Sequence, residues 1–177
     1  MNVFILNSGR CGSSTFIKAC QHITNFSSAH ESLLSETGPQ RFNYPANHIE
    51  ADNRLSWLLG RLDQAYGNNA FYVHLQRNTQ DSAKSFARRI DFGILKAYEQ
   101  GILLHEQHQL PAADIAGDYL QTVNSNIRLF LKDKSSKMNV SLETAKTDFH
   151  VFWERINAQG NLDAALSEWD IHYNSSK

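Results

Sequence analysis

Neither sign of charge is in excess. Seventeen Lys and Arg stand against eighteen Asp and Glu, a net charge of −1 with His neutral. The chain therefore lacks the electrostatic footprint of a general nucleic-acid binder, although a local basic pocket for one anionic ligand is compatible with it. Cysteine is scarce too: Cys11 and Cys20 are the only two, too few for a disulfide framework or a four-cysteine zinc site. Long apolar runs are missing. No stretch approaches the roughly eighteen residues of a membrane span. The early run Val3-Phe4-Ile5-Leu6 is too short for the core of a secretory signal, and no basic residue precedes it. These absences predict a soluble, cytoplasmic protein in a reducing compartment, with neither nucleic acid nor membrane as a partner.

Proline is rare as well, at three residues, and no repeat, low-complexity tract or linker-like stretch divides the chain. At about 150 residues per domain, residues 1–177 read as one domain. What is present is globular: 41% hydrophobic, 11% aromatic and 20% charged. A chain of this length buries roughly 70% of its unfolded surface, so it needs no disulfide or metal to fold.

Residues 3–6 form a continuous apolar run rich in β-branched and aromatic side chains, ending at Asn7-Ser8-Gly9. That pattern predicts a fully buried strand running into a tight loop. Residues 13–22 then carry Phe16, Ile17, Ala19 and Cys20 at helical spacing. A second short strand is expected at 26–30. Residues 32–50, with Gly38, Pro39, Asn43, Pro45 and Asn47, read as mostly irregular. Leu55, Leu58, Leu59 and Leu62 predict an amphipathic helix over 51–66, ended by Gly67-Asn68-Asn69. Phe71-Tyr72-Val73-His74-Leu75 is the next strand, continued by Gln76-Arg77. Helices are expected at 79–90, 92–104, 113–131, 144–158 and 162–173, and a strand at 138–142. Alternating strands and helices predict an α/β three-layer sandwich with a central parallel sheet.

The chemistry concentrates where the first strand meets its helix. In Gly9-Arg10-Cys11-Gly12-Ser13-Ser14-Thr15, glycines let the backbone turn its N–H groups inward, and the helix end adds positive potential. Ser13, Ser14 and Thr15 add hydroxyls, and Arg10 adds a fork suited to tetrahedral oxyanions. A plain glycine-rich turn with Ser13 as helix cap is the bland alternative. The loop is not that of a nucleotide kinase, because no Gly-Lys pair follows Gly9, and no strand end offers an Asp for magnesium; residues 71–76 end in Gln76-Arg77. A cysteine phosphatase would need Arg six residues after Cys11, where Ile17 stands. Cys11 at a helix N-terminus has some scope for thiolate character, yet it reads better as a small loop filler.

A second motif follows the strand at 71–76: Arg77-Asn78-Thr79-Gln80-Asp81-Ser82-Ala83-Lys84-Ser85. An Arg leaving the carboxyl end of a strand lies where open α/β sheets bind ligands, and Ser85, two helical turns on, can face the same anion. Asp81 reads as a cap residue. Together the two motifs resemble those of sulfotransferases that use 3′-phosphoadenosine 5′-phosphosulfate (PAPS). Residues 9–16 are similar to the 5′-phosphosulfate loop of the carbohydrate, tyrosylprotein and bacterial branches, and Arg77 with Ser85 is similar to the 3′-phosphate motif. Thr79 stands where the family has Pro. The strong resemblance covers residues 3–31 and 71–90; residues 137–173 resemble the closing strand and helices less specifically. No Arg-Lys-Gly segment of the kind that closes over the cofactor lies near the C-terminus.

The resemblance implies a P-loop-NTPase-like sulfotransferase fold, reduced in size. It implies PAPS as sulfuryl donor without a metal, and Arg10, Cys11, Gly12, Ser13, Ser14, Thr15, Arg77 and Ser85 as the residues that hold it. It also implies Glu31 as catalytic base, with Arg10 stabilising developing charge and His30 as the rival base. The acceptor would be a hydroxyl or amine of a small molecule or carbohydrate. Arg41, Phe42, Tyr44, His48, Arg54, Trp57 and Arg61 are a basic and aromatic mix that reads equally as acceptor site or as core and solvated face. His105 and His108 flank Glu106 at helical spacing, but a third clear ligand for a metal is missing. Two other classes remain: a non-catalytic binder of adenosine 3′,5′-bisphosphate (PAP), and a P-loop kinase or NTPase.

Overall fold

The computed structural model describes residues 1–105, 110–171 and 173. Among them, β1 (Asn2–Leu6), β2 (Ser27–His30), β3 (His48–Ala51), β4 (Ala70–Gln76) and β5 (Lys137–Ser141) form one sheet in the order β2-β3-β1-β4-β5. Every pairing is parallel, with Val3 opposite Ile49 on one side and opposite Phe71 on the other. Parallel strands need crossovers, and the crossover helices cover both faces. Val3, Ile5, Phe71 and Val73 turn to one face, against α1 (Ser13–Cys20), α6 (Ala145–Arg155) and α7 (Leu162–Ser167). Phe4, Leu6, Ala70 and Tyr72 turn to the other, against α2 (Leu59–Tyr66), α3 (Thr79–Ala87), α4 (Gly93–Gly101) and α5 (Ala112–Leu131). The α/β class, the three layers and the parallel sheet thus follow the expectation. None of the described helices is long and apolar enough to cross a membrane.

β3 is where sequence and structure part. The segment 32–50, read as irregular, holds a 3-10 helix, Gly38–Phe42, and the strand His48–Ala51. The helix expected over 51–66 is a 3-10 helix, Asn53–Trp57, followed by α2. The reason is that β3 is buried yet polar: His48 is 5% exposed, Glu50 and the following Asp52 0%. Each has found a partner, as burial requires. His48 meets Ser27 Oγ at 2.8 Å and Glu50 Oε2 at 2.9 Å. Glu50 accepts from the Ser32 amide and hydroxyl at 2.8 and 2.6 Å. Asp52 accepts from Arg41 and, at 2.8 Å, from the Arg54 amide. The last predicted helix also breaks, into α7 and a 3-10 turn, Glu168–Asp170. Remaining boundaries shift by a few residues, the largest trims being at 92–104 and 144–158.

Candidate functional site

The chain leaves β1 toward α1 on one face of the sheet and leaves β4 toward α3 on the other. Between the diverging carboxyl ends of these neighbouring strands lies the crevice where open α/β sheets take ligands. Two loops frame it.

The first, after β1, is tied down from beneath. Asn7, fully buried, donates to the Ile5 carbonyl at 2.9 Å and accepts from the Gly9 amide at 2.9 Å. Ser56 donates to the Asn7 carbonyl at 2.9 Å and Tyr119 to the Ser8 carbonyl at 2.7 Å. Above this floor the backbone is left-handed at Gly9 (φ 89°), Arg10 (57°) and Gly12 (91°). The φ of Gly12 favours glycine there, and a Cβ would sit 2.7 Å from Leu142 Cδ1, so the Leu142 side chain would have to move. Arg10 tolerates the same region at a cost of about 1–2 kcal/mol. Gly12, not Ser13, caps α1, and it makes no side-chain capping bond. The Ser13 hydroxyl instead meets His30 Nε2 at 3.0 Å.

The second loop brings Arg77, whose Nη1 donates to the Arg10 carbonyl at 3.4 Å. Asn78 caps α3, accepting from the Gln80 and Asp81 amides at 3.0 and 3.2 Å. Asp81, expected as the cap, is a first-turn residue. Arg10 Nε donates to Ser85 Oγ at 3.1 Å, so Ser85 meets the site through Arg10. Burial, then Arg89 and Arg77, lower the Arg10 pKa. Arg77 and Arg89 both bear on the Arg10 guanidinium, so positive charge gathers at this partly buried loop.

Two clefts meet at that loop and share Arg10, Ser13 and Ser14. One, of about 620 Å³, adds Gly12, Thr15, Arg77, Glu143, Trp169 and Tyr173. Glu143 is held there by the Asn78 amide at 2.7 Å and by the Ser141 hydroxyl. Although burial pushes its carboxyl up, those two donors and Arg77 bring the pKa down. The other cleft, of about 480 Å³, adds His30, Glu31, Arg54 and Arg89 beside Phe86 and Phe92. Glu31 Oε1 lies 3.1 Å from Arg54 Nη1. Glu31 and His30 thus stand across the loop from Arg77.

One sequence expectation is corrected, and two readings left open are narrowed. The Cys11 side chain is 1% exposed and burial pushes its thiol up to about 12, which agrees with a loop filler and not with a thiolate. A strand does end in an Asp: β3 runs into Asp52. Its carboxylate, however, is fully buried and taken by Arg41 and the Arg54 amide. Of the basic and aromatic mix at 41–61, Arg54 lines one of these two clefts and the others line neither. Arg41, Tyr44 and His48 are buried, and Trp57 packs against Tyr98 and Tyr119. Sequence reasoning missed Arg89, although it follows Ser85 by one helical turn, and it gave no role to Asn53, Glu143 or Tyr173. Glu106 and His108 lie outside the described residues.

No family model matches the chain, and no curated protein matches it.

Proposed function

We propose that the protein is a PAPS-dependent sulfotransferase with a P-loop-NTPase-like sulfotransferase fold, moving a sulfuryl group to a hydroxyl or amine acceptor. The observation that carries this reading is the loop shared by two clefts. Arg10 and Arg77 leave the ends of adjacent strands on one side. The Glu31 carboxylate waits on the other. The nucleotide lies in the larger cleft with its 3′-phosphate against Arg77, and the acceptor in the smaller. The sulfuryl group passes between them over the loop amides. As the acceptor oxygen bonds to sulfur, its proton goes to Glu31, the bridging S–O bond breaks and PAP leaves. Arg10 and the amides stabilise charge on the sulfuryl and bridging oxygens. Arg10 stays protonated and acts as a clamp.

Thermal shift with PAP and ATP tests the reading. PAP stabilises by about 2.7 kcal/mol at hundredfold excess over its Kd, ATP does not, and Arg77→Ala abolishes the PAP shift. Equal shifts from both nucleotides, or a PAP shift intact in Arg77→Ala, would remove the 3′-phosphate assignment. The kinase alternative is weakened, since Asp52 at the end of β3 is buried and taken by Arg41. Phosphoryl transfer from ATP needs magnesium, whereas sulfuryl transfer here survives saturating EDTA. Loss of activity in EDTA with rescue by magnesium would favour the kinase.

A further inference from the structure

We infer that Arg54 is a positioning residue for Glu31, and that the buried acidic side chains of β3 and Asp52 hold this pair in register with the loop. The inference rests on Glu31 being the proton acceptor of the proposed reaction.

Glu31 is a non-glycine residue at φ 55°, a conformation that persists only where its surroundings impose it. They do so from three directions. Its amide donates to the Ala51 carbonyl at 3.0 Å, continuing the β2–β3 ladder one step past the strand. The next residue, Ser32, is gripped by both oxygens of Glu50 at 2.8 and 2.6 Å. The carboxylate itself meets Arg54 at 3.1 Å. Arg54 is fixed in turn: its amide donates to Asp52 Oδ1 at 2.8 Å, and its Nη1 to Asn53 Oδ1 at 3.3 Å. Asp52 is anchored by Arg41 in the interior.

Stability does not explain this arrangement. The Arg54 and Glu31 side chains are 35% and 29% exposed, and pairs at such exposure contribute little. Burying Glu50 and Asp52 completely carries a desolvation cost. Function does explain it. Arg54 engages Oε1 and leaves Oε2 for the acceptor proton, and a base must be held within hydrogen-bond reach of the proton it takes. Arg54 orients the carboxylate and takes no part in the proton transfer.

The test uses the full chain, with the acceptor found by screening hydroxyl-bearing sugars and phenols for PAP release. Arg54→Ala keeps the backbone bond to Asp52. It lowers kcat by about 10–100-fold, the scale of a roughly 1 Å misplacement. The acceptor KM and the PAP thermal shift stay within about twofold of the parent protein, and Arg54→Lys recovers part of the loss. In a Glu31→Gln background, Arg54→Ala adds almost nothing, since both act through one carboxylate. Multiplying losses, or a raised acceptor KM with kcat intact, would overturn the inference and make Arg54 a substrate contact. Glu31→Gln inactive with Arg54→Ala fully active defeats the inference alone. Glu31→Gln fully active removes Glu31 as the base and the inference with it. No PAP shift at all sinks both.

Discussion

β1 is flanked by two strands built on opposite principles. β4 is seven residues, Ala70–Gln76, largely apolar and buried; its side chains join the two cores, and its contribution to the site is the Arg77 it delivers at its end. β3 is four residues, His48–Ala51, equally buried, but it alternates Ile49 and Ala51 toward one core with His48 and Glu50 toward other polar groups. One strand stabilises by burying surface; the other spends burial on orienting its neighbours. A parallel sheet can carry both because every strand is covered on its two faces. The difference teaches that being interior and being hydrophobic are separate properties, joined only where nothing needs to be aimed.

Mutation should separate the two strands sharply. Arg41→Ala leaves Asp52 charged, fully buried and without its guanidinium. We expect a loss of about 3–5 kcal/mol, read from urea midpoints. A loss under about 1 kcal/mol would mean that the β3 network is dispensable. Leu75→Ala, at 0% exposure in β4, should cost about 3 kcal/mol as a cavity and leave transfer activity per folded molecule unchanged. Should it instead abolish activity in the folded protein, β4 would be more than a scaffold.

A smaller effect concerns His74 in β4, 1% exposed and hydrogen-bonded to Asn124 at 3.0 Å. Burial, with Arg128 nearby, lowers its pKa below the ordinary 6.5 despite Asn124. The unfolded chain therefore takes up the proton first on acidification. Stability from this group is complete above pH 6.5 and declines as pH falls from there toward the folded value. His74→Gln should flatten the difference in urea midpoint between about pH 7.5 and about pH 5.5; an unchanged difference would exclude His74 as its source. Smallest of all is the effect at Cys11, whose thiol lies near 12. Iodoacetamide at about pH 8 should leave it unlabelled until the chain is denatured. Labelling of the folded protein would open the loop to a nucleophilic role.

Much of this was legible in the chain. The apolar runs at 3–6 and 71–75 announce β1 and β4, and the loop and Arg77 follow from where those runs stop. Glu31 and His30 are picked out by the resemblance, and they line a cleft with Arg10. β3 was not legible, because hydrophobic periodicity registers burial only through apolar side chains, and His48, Glu50 and Asp52 are satisfied by Ser27, Ser32 and Arg41. Arg54 read as one of several arginines, since its bond to Glu31 spans a crossover that no local spacing encodes. Trp169 and Tyr173 reach the larger cleft from the far end of the chain, and only the fold brings them there.

The position of β1 in the middle of the sheet bears on how the chain is made. Asn2 pairs with Ala70 and Val3 with Ile49, so Val3-Phe4-Ile5-Leu6 leaves the ribosome long before either edge can be covered. At roughly 5–20 residues per second, the seventy or so residues up to β4 take about 4–14 s to appear. For much of that interval only the short β3 is at hand to pair with β1. Trigger-type holding of nascent chains, or a pause after β4, would serve this protein more than any late folding aid.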